Sequence, residues 1–130
     1  MGIHRKVQLK NSYVIKVARN RISRECNRVE WELSDTSRYF AKCPMVSPDY
    51  RELRMERVQI PGVLTRMKYA KFLRKELKGI SDIHWYNVGE THGHPVLYDY
   101  GGTLIILRLI ARKIRLAIGM TSWKNARRSE

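Results

Sequence analysis

The stretch VLTRMKYAKFLRKELKG, residues 63–79, contains the clearest helical pattern in the chain. Its apolar residues recur at steps of three and four, which predicts one buried stripe on an amphipathic α-helix. Gly79 follows at once, with Lys75 and Lys78 in the last turn, and this combination is typical of a helix end. We therefore predict a helix over residues 63–78. Its apolar stripe consists of Val63, Met67, Ala70, Leu73 and Leu77.

Upstream, the segment from Ser12 to Leu33 shows the same periodicity, with Ser12 in position to cap a helix. We predict a long helix over residues 12–33, apolar on one side and cationic on the other, with Cys26 as a small buried hydrophobe. Between Ser34 and Pro61, turn-forming residues interrupt the pattern. We expect an irregular connector there, with a short helix starting at Ser47-Pro48.

Downstream of Gly79, β-branched and aromatic residues predict a β-hairpin over about 82–100, with a wide loop from Gly89 to Pro95. Its aromatic residues could form a stacking platform, but aromatics that alternate on a strand pair favour cross-strand core: they are Trp85, Tyr86, Tyr98 and Tyr100. Thr103 offers a further cap, and residues 103–118 are predicted as a last helix, although their isoleucines would also suit a strand.

Together these elements predict a small single domain of the α+β class, because 130 residues suffice for one modest core. Amphipathic helices over about 12–33, 63–78 and 103–118 would pack with the hairpin. A basic arm over residues 1–11 and a basic tail over residues 119–130 would flank a compact domain over residues 12–118.

The distribution of charge is the main indication of function. The formal net charge is +14; residues 1–24 and 101–129 each hold seven Lys or Arg and no acid, whereas residues 25–100 hold twelve Lys or Arg and eleven acids. Such a surplus opposes compaction unless an acidic partner neutralises it. The pattern indicates a balanced body with two cationic ends that reach into a phosphate-rich partner.

The candidate RNA-binding residues follow from these ends. In the last predicted helix, arginines recur at steps of four and three opposite an apolar stripe, and guanidinium groups suit phosphate contacts. An aromatic ring in the tail, that of Trp123, offers stacking on a base. The predicted set is Arg5, Lys6, Lys10, Arg19, Arg108, Arg112, Lys113, Arg115, Trp123, Lys124, Arg127 and Arg128.

Several other classes of protein are disfavoured. The two cysteines, Cys26 and Cys43, form no disulfide or zinc-finger pattern, which favours a reducing compartment. The most apolar run, residues 104–118, is interrupted by four cations, so we expect no transmembrane segment. The acid-free, Arg-bearing N-terminal stretch has the composition of a mitochondrial targeting segment and equally of an RNA-binding tail. The expected location is the mitochondrion (matrix, ribosome) or the cytoplasm.

The loop around His92 and His94 is the one stretch that resembles a reactive site, with Glu90, Asp99 or His84 available as a third metal ligand. The spacing matches no established metal or nucleophile motif. We therefore expect no catalytic residue, no metal and no cofactor, and the chain is not predicted to be an enzyme. A metal-dependent hydrolase is the weakest of the alternatives.

The leading hypothesis is a structural RNA-binding protein, a small subunit of a ribosome, mitochondrial or otherwise, that contacts rRNA backbone through its basic ends beside neighbouring proteins of a large assembly. No sequence-reading module is present, so binding is expected to depend on charge and shape. The alternative is a peripheral accessory subunit of a membrane-bound assembly that binds anionic lipid or protein.

Overall fold

A computed structural model describes residues 5–80 and 83–102 of the chain. Within them, two α-helices pack with a four-stranded antiparallel sheet and a separate β-hairpin, so the fold is a small α+β domain, as predicted. No helix in this part of the chain is long and apolar enough to span a membrane. The predicted helix over 103–118 and the tail over 119–130 lie outside the described residues.

The sheet contains β1 (Arg5–Leu9), β2 (Tyr13–Ala18), β3 (Met45–Val46) and β4 (Glu52–Glu56) in the order β1-β2-β4-β3. The predicted helix over 12–33 is therefore wrong for its first part. Residues 13–18 are rich in β-branched side chains and alternate between two faces, with Lys16 and Ala18 buried on the inner one. Part of the predicted arm, residues 5–9, forms the edge strand next to β2.

The first helix, α1 (Arg21–Leu33), begins at a different cap from the one predicted. The Asn20 side chain accepts a hydrogen bond from the Ser23 backbone, and the Ser23 hydroxyl accepts one from the Asn20 backbone. This capping box satisfies the first free amides of the helix. Cys26 is fully buried, as predicted.

The connector between α1 and the second helix contains a strand pair, and the short helix predicted at Ser47-Pro48 is absent from it. The Ser47 hydroxyl donates to the Asp49 carboxylate and accepts from the Glu52 amide, which closes a tight turn between β3 and β4. Tyr50 adopts a positive φ of 61° within that turn. Local side-chain hydrogen bonds thus favour a turn over a helix here.

The second helix, α2 (Val63–Glu76), confirms the prediction over 63–78 to within two residues. Ala70, Leu73 and Leu77 are buried as expected. The N-terminal half of the predicted stripe is wrong, because Val63 and Met67 are about half exposed at 46% and 51%. Only the C-terminal half of α2 therefore packs fully into the core.

The predicted hairpin is present as β5 (Val88–Thr91) and β6 (His94–Leu97), preceded by a short 3-10 helix, Trp85–Asn87. The wide loop expected from Gly89 to Pro95 is instead a tight turn, in which His92 and Gly93 both have positive φ. Such angles match the twist of a two-residue hairpin turn. Backbone hydrogen bonds from Ala41 to Leu97 and from Leu97 to Tyr39 join the hairpin to the connector.

The main core lies where α2, the hairpin and β4 meet. Tyr100 is fully buried there, and its single hydroxyl proton lies within reach of two acceptors, the backbone carbonyls of Glu30 at 3.1 Å and Ala41 at 3.0 Å. The remaining members are Phe40, Ala41, Cys43, Leu53, Met55, Ala70, Leu73, Leu77, Ile83, Val88 and Leu97.

Candidate nucleic-acid interface

One side of α2 forms an exposed cationic face. Lys68, Lys71 and Lys75 follow one another at steps of three and four, so their side chains share one side of the helix, and all three are exposed. The buried residues Ala70, Leu73 and Leu77 mark the opposite side. We call the three lysines the α2 cationic face.

The positive charge of this face is not neutralised locally. Residues 63–80 hold six Lys or Arg and one acid, Glu76. Across residues 5–80 and 83–102, the ion pairs involve other side chains, and none reaches Lys68, Lys71 or Lys75. Clustered cations of this kind raise the local positive potential and attract a polyanion.

An aromatic ledge, His84, Trp85 and Tyr86, lies alongside α2. Trp85 is 39% exposed and Tyr86 is 53% exposed, so the prediction of a buried cross-strand cluster is wrong for both. The reason is local structure: Trp85 and Tyr86 belong to a 3-10 helix and not to a strand. Of the same predicted cluster, Tyr98 is half-buried and Tyr100 fully buried.

The rings of the ledge are arranged in a stack and an edge contact. The His84 and Tyr86 rings lie 5.0 Å apart with an interplanar angle of 17°, and the Trp85 ring meets Tyr86 edge-on at 5.8 Å and 82°. The Arg66 guanidinium lies over the Trp85 ring, 4.9 Å from its centroid. A cation at this distance is attracted to the negative face of the ring.

Hydrogen bonds hold the backbone of the ledge at both ends. The Arg74 Nε donates to the Ile83 carbonyl at 3.0 Å, which ties the segment to α2. The Asn87 amide donates to the His84 carbonyl at 2.9 Å, which closes the 3-10 turn. From the residue after β6, the Tyr98 hydroxyl donates to the Tyr86 carbonyl and the Tyr98 amide to the Asn87 carbonyl. The ledge is therefore fixed relative to α2 and the hairpin.

The predicted RNA-binding residues of the N-terminal region lie on the sheet. Lys6, Lys10 and Arg19 are exposed. The pairing of β1 with β2 places Arg5 opposite Ala18, so Lys6 and Arg19 lie at one end of this strand pair and Lys10 at the other. The structure thus brings together Lys6 and Arg19 but separates Lys10 from them.

Arg5 differs from these three because its guanidinium is buried. Its Nη1 lies 2.8 Å from Glu30 Oε1 and its Nη2 lies 3.0 Å from Glu30 Oε2, and Asp99 accepts a further bond. Desolvation by burial lowers the pKa of Arg5, but the charges and hydrogen bonds of Glu30 outweigh it and raise that pKa. Arg5 is engaged inside the fold, and we do not retain it as a phosphate contact.

The remaining predicted RNA-binding residues lie outside the described part of the chain. They are Arg108, Arg112, Lys113, Arg115, Trp123, Lys124, Arg127 and Arg128.

The histidine pair of the hairpin turn forms no metal site with its neighbours. His94 Nδ1 lies 3.1 Å from the Pro95 carbonyl, and the His94 ring meets Tyr39 edge-on. Among the residues that the structure describes, no group of three His, Cys, Asp or Glu side chains is placed to hold a metal ion.

The two thiols are buried in separate places. Burial raises the pKa of Cys26 to about 11 and that of Cys43 to about 12. Because the thiolate is the reactive form, neither group is suited to nucleophilic chemistry at neutral pH.

The sequence did not lead us to the α2 cationic face, and for Trp85 and Tyr86 of the ledge it favoured a buried core over a stacking platform. A signal for the first was available, since six of the eighteen residues from 63 to 80 are Lys or Arg and only Glu76 is acidic. It was missed because the surrounding region, 25–100, is nearly neutral on average. For the ledge, nothing in the amino-acid sequence distinguishes two exposed aromatic residues from two buried ones.

Comparisons with known proteins give no relative for this chain: no family model, no curated protein and no solved structure matches it significantly.

Proposed function

We propose that this protein is a structural RNA-binding protein, a subunit of a ribonucleoprotein particle such as a ribosome, and that α2 with the adjacent ledge contacts the RNA. The observation that carries the proposal is that α2 exposes three lysines without ion-pair partners in the described chain, while the segment bound to α2 through Arg66 and Arg74 exposes two aromatic rings. Lysines meet phosphates, and aromatic rings suit bases.

The net charge of +14 supports a polyanionic partner. A surface this basic gains affinity for RNA when phosphates release their counterions, and this affinity does not depend on the base sequence. Lys6 and Arg19, exposed at one end of the β1–β2 pair, offer additional contacts to the backbone. Together with the α2 cationic face they favour a partner that extends over more than one element of the fold.

The structure of α2 favours RNA over a lipid surface as its partner. A helix that lies on a bilayer places its apolar stripe among the acyl chains. In α2 the residues Ala70, Leu73 and Leu77 are buried in the protein core and are not available for insertion. The apolar side chains that α2 does expose are Val63, Leu64, Met67 and Phe72, and competition with liposomes tests whether they bind lipid.

The test is an RNA-binding titration of the purified full chain with a structured RNA, repeated between about 0.05 and 0.2 M salt. We expect the association constant to fall steeply, by roughly tenfold or more over this range, because each neutralised phosphate releases counterions. Anionic liposomes are added as competitors. Affinity that does not change with salt, or protein that leaves RNA for the liposomes, would contradict the proposal.

A further inference from the structure

We propose that the ledge is a base-stacking site: the exposed Tyr86 and Trp85 rings take up an unpaired base of single-stranded RNA. This inference rests on the proposed function and names the form of RNA that the site selects. It adds stacking within the folded body to the expectation, drawn from the sequence, that binding depends on backbone charge and shape more than on base identity.

The ledge already contains a stack of two rings, those of His84 and Tyr86. The His84 ring lies nearly parallel to one face of Tyr86, with an interplanar angle of 17°. Tyr86 remains 53% exposed in spite of this contact and the edge contact with Trp85. A base that adds to the exposed part of Tyr86 lengthens an existing row of rings, and any base can do so because each has a flat π-face.

The exposed Trp85 ring lies next to a positive charge, that of Arg66. The Arg66 guanidinium lies 4.9 Å from the Trp85 ring centroid, while the ring remains 39% exposed. An exposed indole next to a cation provides a stacking surface and an attraction for the phosphate attached to the same nucleotide.

The backbone segment that carries the ledge is held rigidly. The segment that carries the rings is bound to α2 through Arg74 and to the end of the hairpin through Tyr98, the residue after β6. Side chains that are already ordered lose little entropy when a ligand binds. A ledge held in this way gains more affinity from each stacked base than a mobile loop with the same residues.

Whether the RNA bases are paired determines whether they can stack on the ledge. Bases inside a duplex are covered by their neighbours on both faces, and side chains cannot read the deep, narrow major groove of an RNA helix. Bases in loops, bulges and single strands are free to stack on aromatic side chains. An aromatic ledge beside a cationic helix therefore selects unpaired segments.

The experiment compares two single strands of about 12 nucleotides, one of adenine nucleotides and one abasic strand with the same number of phosphates. Binding of the full-length wild-type chain is measured by anisotropy at one moderate salt concentration. We expect at least about fivefold tighter binding of the base-bearing strand, the effect of one stacked base. Equal affinity for the two strands would overturn the inference.

Variants then locate the effect. W85A/Y86A should lose the preference for bases and bind the abasic strand within about twofold of wild type, since its cations are unchanged. W85F/Y86F, which keeps two rings, should retain the preference, and W31A, at an exposed tryptophan of α1, is the matched control. Thermal unfolding verifies that each variant folds; should W85A/Y86A not fold, Y86A takes its place.

The outcomes separate this inference from the proposed function. Salt-sensitive binding of both strands with no preference for bases leaves RNA binding in place and refutes the stacking site. An equal loss of preference in W31A also refutes it. Failure of the wild-type chain to bind either strand refutes the stacking site, and the titration with a structured RNA then decides separately whether the proposed function stands.

Discussion

The Arg5 guanidinium and the Glu30 carboxylate form a bidentate ion pair that joins the edge strand β1 to α1, with N–O distances of 2.8 and 3.0 Å. Lys16 donates to the same carboxylate from β2, and the backbone amides of Tyr100 and Gly101 donate to it from the segment after the hairpin. Glu30 is fully buried. One carboxylate thus connects four parts of the chain, and removal of a partner leaves a buried charge incompletely compensated.

The first prediction concerns Arg5. We expect R5M to lower the free energy of unfolding by about 3–5 kcal/mol, because it removes the two-pronged partner of a buried carboxylate. R28M is the matched control: Arg28 pairs with Glu25 and Glu32 on the partly exposed side of α1, where a pair contributes about 0–1 kcal/mol. Urea unfolding of both variants measures the difference. Similar losses in the two would mean that the buried pair has no special role.

The second prediction concerns acid. Burial alone would raise the pKa of Glu30, but the charges and hydrogen bonds of Arg5 and Lys16 outweigh it and lower that pKa to about 2, from an ordinary value of 4.5. Glu30 therefore contributes its full stability above about pH 4.5, and the contribution is lost as the pH falls towards 2. By linkage its size is about 3 kcal/mol.

The measurement for Glu30 is an NMR titration of its side-chain carboxyl carbon in the folded protein. The signal should stay that of the carboxylate down to about pH 3. A titration midpoint above about 4 would show that Arg5 and Lys16 do not stabilise the charged form.

The third prediction concerns Gly101. A Cβ atom at this position would lie 2.7 Å from the Cys26 carbonyl oxygen, and the Gly101 amide donates to Glu30. We expect G101A to cost roughly 1–3 kcal/mol, because the backbone of α1 would have to move. G62A is the control, since nothing lies within 4 Å of its Cβ position. Chemical denaturation of both proteins decides the matter, and a G101A protein as stable as G62A would contradict the packing described.

How far the sequence predicts this fold depends on how local the determining interactions are. α2 was predicted well because its periodicity and its end at Gly79 lie within one segment. In contrast, β2 was assigned to a helix because Ile15, Ala18 and Ile22 happen to follow at steps of three and four. Its pairing with β1 and β4 depends on residues elsewhere in the chain, which periodicity within one window does not register.

The site was predicted less well than the fold, for a related reason. Net charge does not show which cations are engaged inside the protein: Arg5 and Lys16 counted towards a free basic end, yet both bind Glu30, which lies 25 and 14 residues further along the chain. The lysines of α2 were averaged with the acids of neighbouring segments. Only the fold shows that those lysines share an exposed side of α2, and that the segment bound to α2 through Arg66 and Arg74 leaves Trp85 and Tyr86 exposed.

We propose that the α2 cationic face contributes more to RNA binding than positive charge elsewhere on the protein does. Reversing two of its lysines in K68E/K71E tests it directly, with R21E/R24E as the matched control: those arginines are also exposed, three residues apart, on α1, and the charge change is the same.

We expect K68E/K71E to weaken RNA binding by roughly tenfold or more at moderate salt and to make it less salt-dependent, by about 0.7 per lost phosphate contact for a single strand. R21E/R24E should change the affinity by less than about threefold. Anisotropy titrations of wild type and both variants, across a series of salt concentrations, provide the measurement. Equal losses in the two variants, or an unchanged affinity in K68E/K71E, would contradict the claim.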